Sequence, residues 1–238
     1  MHSVLMILTG ATSWTQKDGM RRPSGFWAEE FATPHEVLSA AGVTITIATP
    51  GGKPATVDQV SLSAQANQGD VAKTEALSAY LDKHEDVLKS PLRIEDLDVS
   101  EFDVVFVPGG HGPMQDLAVD EAVGNALSTA LADRDMIVAA VCHGQASFLS
   151  AGDATSWAFK GRRMTAFTNV EETQVGLAAN APWLLEDRLR DAGASFDAGA
   201  PWSSHVVIDG NLVTGQNPQS AAATAKAVLD LLASRQPR

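Results

Sequence analysis

Cys142 is the single cysteine of the 238-residue chain, and His143 and Gly144 follow it directly. It ends an apolar run, Met136-Ile-Val-Ala-Ala-Val141, and opens a segment of helical character, Gln145-Ala-Ser-Phe-Leu149. A strand that delivers a cysteine into a tight turn before a helix has the form of a nucleophile elbow, where small neighbours allow a strained backbone. Ala139, Ala140 and Gly144 are such neighbours. Free N–H groups at the helix start favour a thiolate, and the adjacent imidazole offers a base. The same residues also fit a small core hydrophobe beside a partly exposed histidine.

Three further segments carry chemistry of a matching kind. Pro108-Gly-Gly-His-Gly112 exposes backbone N–H groups at Gly109 and Gly110 that suit an oxyanion hole, and puts His111 where it can touch substrate. A plain glycine-rich turn with a solvated histidine fits as well. Glu29-Glu30 lies among Phe26, Trp27 and Phe31. A carboxyl desolvated there has a raised pKa and can exchange a proton with a thiol near neutral pH, whereas a solvated acidic pair is the plainer reading. Glu171-Glu172 follows Cys142 by 29 and 30 residues. Either glutamate could orient His143 as the third member of a triad.

These segments need strands to carry them. Val4–Leu8, Val43–Ala48, Phe102–Val107 and Ile137–Val141 are apolar or β-branched runs that read as buried strands. Met164–Phe167, His205–Ile208 and Leu212–Val213 are later candidates. Helical patterns cover residues 34–41, 71–88, 119–134 and 221–234, and Pro34 suggests that the first begins near Thr33, with Phe26–Ala32 as a separate turn. The alternation predicts one α/β domain over residues 1–238: a mostly parallel sheet covered on both faces, with residues 51–100 as a helical insertion outside the sheet. Chemistry then gathers at the carboxyl ends of the strands.

Composition narrows the partners. Apolar residues make up 45% and charged residues 19%, and the formal net charge is −12. Arg21-Arg22 and Arg162-Arg163 are only pairs, which argues against nucleic acid or an anionic membrane. No stretch approaches the roughly 18 apolar residues of a membrane span. One cysteine cannot form an internal disulfide and rules out zinc sites built from cysteine pairs; a reducing cytoplasm is the expected setting.

Taken together, the segments resemble the DJ-1/PfpI superfamily, and within it the Hsp31-like group of glyoxalase III and class I glutamine amidotransferase-like proteins. The resemblance rests on Gly25-x4-Glu30-x3-Pro34, Phe106-Val-Pro-Gly-Gly-His-Gly112, Ala139-Ala-Val-Cys-His-Gly144, Thr168-Asn-Val-Glu-Glu172 and Thr214-Gly-Gln-Asn-Pro218. It implies a flavodoxin-like three-layer α/β sandwich, commonly dimeric, with residues 11–25 and 51–100 as group-specific additions. It implies Cys142 as nucleophile, His143 as the adjacent histidine, Glu30 rather than Glu29 beside the thiol, and Glu172 as third triad member with Glu171 close behind. Gln145 departs from the pattern, since many relatives have proline there, and is expected to alter the elbow's rim and substrate preference. The metal site of some bacterial relatives has no obvious counterpart.

The activity so implied is a cofactor-independent glyoxalase of the D-lactate dehydratase class. It would convert a small 2-oxoaldehyde such as methylglyoxal to a 2-hydroxy acid without glutathione, with deglycase-like activity as an extension. A stress-related holdase chaperone, or another Cys-dependent hydrolase or hydratase, stands as the alternative. An amidotransferase is disfavoured, because such enzymes take their histidine from far downstream of the cysteine. The partner expected besides substrate is a second copy of the chain.

Overall fold

The buried apolar runs lie side by side, because strands covered on both faces leave no position for a polar side chain. The computed structural model describes residues 1–152 and 156–237. In chain order its elements are β1 (Ser3–Ile7), β2 (Ser13–Thr15), β3 (Arg21–Pro23), α1 (Ala28–Ala40), β4 (Thr44–Thr49), α2 (Val71–Lys83), α3 (Glu85–Lys89), β5 (Leu92–Arg93), β6 (Val104–Val107) and α4 (Gly112–Gln115). Then follow α5 (Glu121–Ala132), β7 (Ile137–Val141), β8 (Arg163–Met164), α6 (Asn169–Gln174), α7 (Leu185–Ala192), β9 (Ser195–Phe196), β10 (Val206–Asp209), β11 (Leu212–Gly215) and α8 (Ala221–Leu232). The main sheet runs β10-β11-β7-β6-β1-β4-β5. Every neighbouring pair is parallel except the β10–β11 hairpin.

Strand residues alternate between the two faces, as the pleat requires. Val4 and Met6 of β1, Phe106 of β6 and Ala139 of β7 meet Phe31 and Leu38 of α1 and Val228 of α8. Leu5, Ile7, Val105 and Val138 face Leu127 of α5 and Leu189 of α7. Both layers are dry, with Leu5, Met6, Val105 and Val138 fully buried. β6 and β7 pair with Val107 opposite Ala140, so the loop after β6 and the turn after β7 emerge together at one sheet edge.

Four sequence expectations change. Helix α1 is continuous from Ala28 through Pro34, rather than beginning near Thr33. An internal proline removes a hydrogen bond and costs about 3 kcal/mol. The stripe Phe31, Pro34, His35 and Leu38, buried at helical spacing, supplies the compensating contacts. Residues 51–100 do enter the sheet, as the two-residue edge strand β5 beside β4. The strand expected at Met164–Phe167 is short and pairs with β9 in a separate small sheet. Residues 11–25, read as a loop, hold the β2–β3 hairpin.

Candidate active site

At the end of β7 the chain turns sharply. Cys142 has φ +61°, in the left-handed region that non-glycine residues avoid, and it opens a 3₁₀ segment from Cys142 to Ser150. Such a conformation costs of order 1–2 kcal/mol and persists only where packing enforces it. Here the enforcement is close approach: a Cβ on Gly144 would lie 2.2 Å from the carbonyl oxygen of Val107. The turn reverses the strand's alternation, so successive residues reach the same site. His143 Nδ1 lies 3.3 Å from Cys142 Sγ.

Glu30 arrives from the opposite side, on the first turn of α1. The loop before it is pinned by the Trp27 N–H to the Gly109 carbonyl and the Phe26 N–H to the Thr56 carbonyl, both 2.9 Å. Gly110 has φ +99°, and a Cβ there would meet the Gly25 carbonyl at 2.4 Å, so glycine lets the two loops touch. Glu30 is fully buried and close enough to the Cys142 thiol for each to shift the other's proton affinity. Its Oε2 accepts from the Gly109 N–H at 2.8 Å. Among the described residues no N–H or O–H reaches Oε1. Burial raises the Glu30 pKa well above the ordinary value, more than the Cys142 and Gly109 contacts lower it. Burial therefore favours the neutral carboxylic acid form of Glu30 over the carboxylate. Burial also pushes the Cys142 thiol up, and an ionised Glu30 would push it further. The pair excludes two negative charges at once.

The sequence left Glu171 and Glu172 open, and the geometry separates them. Both sit on the first turn of α6, where neighbouring residues point about 100° apart. Glu172 turns inward: Oε2 accepts from His143 Nε2 at 2.6 Å and Oε1 from His111 Nε2 at 2.8 Å. Burial alone would raise its pKa, but the two histidines outweigh burial and hold it well below the carboxylate range. With Glu172 ionised, the His143 proton belongs on Nε2, which leaves the Nδ1 lone pair facing the thiol. Burial first, and His111 second, lower the His143 pKa, so the ring is neutral at neutral pH. Glu171 instead closes a capping box with Thr168 and accepts from the Trp202 N–H at 2.9 Å and Asn217 Nδ2 at 2.8 Å.

Several expected contributions shift. The Gly109 N–H is committed to Glu30 and is not free for an oxyanion. His111 lines the cavity, but its Nε2 is spent on Glu172 and its ring stacks on Trp14 at 4.6 Å. Gln145 does not form the rim; it is fully buried. Its Nε2 ties the carbonyls of Ala140, Thr165 and Gly215 together, so it splints the sheet edge beneath the elbow. Glu29 pairs with Lys73 of α2 at 2.7 Å, away from the thiol. Among the described residues, His111, His143 and Glu172 place one donor atom each within 4.8 Å, a set able to take a metal ion. The sequence reading had not found this set, because its members lie on three separate segments.

The thiol opens into a cavity of about 500 Å³. The two additions build much of its wall: Arg22 from the β2–β3 hairpin, and Val60, Ala66 and Gln68 from the insertion. Phe167 and Trp202 complete it, two aromatic residues that no sequence motif marked.

An α/β sheet with a strained cysteine at a strand end, facing a buried glutamic acid and a His–Glu pair, defines a class of cysteine-centred α/β proteins. Residues 23–231 match the model of the DJ-1/PfpI family, and the chain belongs to that family. It is 33% identical over 199 residues to the Glutamine amidotransferase-like class 1 domain-containing protein 1 of Bos taurus, covering 83% of this chain and 84% of that one. Glyoxalase 3 of Candida albicans is 28% identical over 236 residues, 96% of this chain and 98% of its own. The crystal structure of glyoxalase III from the same organism superposes with a TM-score of 0.80 at 27% identity, over 97% of both chains. The Rapid Encystment Protein 24 KDa of Francisella tularensis superposes with a TM-score of 0.85 at 28% identity, over 98% of this chain and 99% of that one.

Proposed function

We propose that the protein is a glutathione-independent glyoxalase that converts a 2-oxoaldehyde, with water, to a 2-hydroxy acid. The reading is supported by relatives named for that activity over nearly the whole chain. The observation that carries it is the fully buried Glu30 carboxyl group beside the Cys142 thiol, its neutral form favoured by burial and its Oε1 without a hydrogen-bond partner among the described residues. A redox-neutral shift of a proton between adjacent carbons needs such a group.

The steps are as follows for methylglyoxal. Cys142 sulfur attacks the aldehyde carbon while its proton passes to His143 Nδ1, and Glu30 protonates the aldehyde oxygen, giving a hemithioacetal. Glu30, now ionised, removes the proton from C1, and protonated His143 supplies the C2 oxygen, giving an enediol. Glu30 returns its proton to C2 as the C1 hydroxyl proton passes to His143, leaving a lactoyl thioester. Water, deprotonated by Glu30, cleaves the thioester, and His143 returns its proton to sulfur. Lactate leaves with both catalytic groups restored. Glu172 acts throughout by stabilising the imidazolium, and N–H groups near Gly110 and His143 serve the oxyanion. Deglycation of carbonyl adducts would use the same atoms.

We place the protein in the cytoplasm as a homodimer on the same resemblance and on its solitary thiol; among the described residues no helix is long and apolar enough to cross a membrane. The test is lactate formation from methylglyoxal with no glutathione present. The expected result is turnover that stops when Cys142 is alkylated, and an inert wild-type protein would sink the assignment.

A further inference from the structure

Five rings run in contact through the site. Trp14 stacks on His111 at 4.6 Å, His111 meets His143 at 4.2 Å, His143 meets Phe167 at 4.6 Å, and Phe167 meets Trp202 edge-on at 5.6 Å. The row starts in the core, where Trp14 is buried, passes the catalytic imidazole, and ends at Trp202, which is 37% exposed on the cavity wall. The inner members are accounted for by the triad. The outer end is not.

Trp202 is held there deliberately in the physical sense that several costs are met at once. Its backbone is in the left-handed region, φ +60°, which a bulky residue avoids. Its N–H is fixed by Glu171 Oε1 at 2.9 Å, and its indole N–H by Gln174 Oε1. Glu171 and Gln174 both lie on α6, the helix that carries the triad glutamate. The ring is thus indexed to the same helix as Glu172, while much of it stays open to solvent. A strained, hydrogen-bonded aromatic on the wall of the cavity that the Cys142 thiol enters is a surface suited to receive something.

The cavity's size points the same way. About 500 Å³ lies within the range of sites that enclose drug-sized ligands, roughly 300–1,000 Å³. Methylglyoxal would occupy a small part of it. Besides Phe167 and Trp202, the wall carries Trp27, Val175 and Leu177, and its one Lys or Arg side chain among the described residues is Arg22. Such a wall favours a flat apolar group over a second charge.

We infer that the preferred substrate is a 2-oxoaldehyde bearing an aromatic substituent, with Trp202 and Phe167 as the residues that select it. This rests on the glyoxalase reading of Cys142 and narrows its substrate. The reaction is the one already balanced: an aryl 2-oxoaldehyde plus water gives a 2-hydroxy-2-aryl acid.

The experiment compares phenylglyoxal and methylglyoxal as substrates without glutathione, in the wild type, Trp202→Ala and Trp202→Phe. Offset aromatic contacts should give the wild type a kcat/KM about tenfold or more in favour of phenylglyoxal. Trp202→Ala should erase most of that preference, raising KM for phenylglyoxal several-fold more than KM for methylglyoxal, and Trp202→Phe should restore it. A merely structural tryptophan would move both substrates together, and that result overturns the inference. Turnover of methylglyoxal with no preference for phenylglyoxal also overturns it while leaving the glyoxalase reading standing. Failure to turn over either substrate removes both.

Discussion

Two pairs of histidines sit in aromatic contact within this chain, and they do opposite work. His111 and His143 have ring centroids 4.2 Å apart at the strand edge; His35 of α1 and His84, at the end of α2, have centroids 4.7 Å apart where the insertion packs on the body. The first pair closes on a carboxylate, with both Nε2 atoms donating to Glu172. The second closes on a tyrosine: His35 Nδ1 lies 2.8 Å from the Tyr80 hydroxyl, and His84 Nδ1 2.8 Å from the Tyr80 carbonyl. Burial, then His84 and Lys83, drives the His35 pKa down to about 4. It is packing material that stays neutral. In the first pair Glu172 fixes the tautomer and is ready to stabilise a proton taken by His143. Residue type is shared; the partner decides between chemistry and cohesion.

The comparison breaks most visibly in kinetics. Glu172→Gln keeps the shape but removes the charge, and kcat should fall about 10²–10⁴-fold with little change in KM. Tyr80→Phe should leave kcat within about twofold, since the second cluster takes no part in proton transfer. Equal losses in the two variants would contradict the division of labour.

Stability against pH separates the clusters next. The unfolded chain protonates His35 near pH 6.5, whereas the folded chain resists to about 4. Its contribution is therefore full above about 6.5 and lost as pH falls toward 4, amounting to about 1–3 kcal/mol. Glu172 behaves in a lower window: its depressed pKa gives stability that is present above the ordinary value of about 4.3 and lost as pH falls below it. Denaturant melts from pH 7 to 3 should show both limbs. His35→Gln should shrink the upper limb, leaving the share that His143 contributes through its own lowered pKa, and spare the lower limb; a variant that flattens only the lower one would reverse the assignment.

The smallest effect concerns Tyr80 itself. Removing its hydroxyl deprives His35 of a partner and should cost about 1 kcal/mol, read as a fall in Tm of about 2–4 °C. No change in Tm would mean that the bond contributes nothing to the α1–α2 contact.

The features visible in the sequence were those written in neighbouring residues. Cys142 with its small neighbours announced the elbow, and the family resemblance carried by Gly25-x4-Glu30-x3-Pro34 singled out Glu30. Their buried runs announced β6 and β7 as strands, and the pairing of the sheet set them side by side. What escaped depends on rotation and distant contact. Glu171 and Glu172 are adjacent in sequence, and only the α6 cap turns one toward the loop of Trp202 and the other toward the histidines. Gln145 occupies the elbow in sequence, yet the 3₁₀ turn aims its amide down into three strand-end carbonyls. Pro34 argued for a helix boundary by local rules, and tertiary burial of Phe31 and Leu38 overrode it. Trp202 lies in a short polar loop whose backbone strain has no signature in residue type.

The central claim is that a proton held by Glu30 works on a substrate carried by Cys142. The direct measurement is glutathione-free lactate formation from methylglyoxal by wild type, Cys142→Ser and Glu30→Gln under identical conditions. The account predicts loss of about 10³-fold or more in Cys142→Ser and about 10²-fold or more in Glu30→Gln, with both variants folded. Full activity in Glu30→Gln would contradict it.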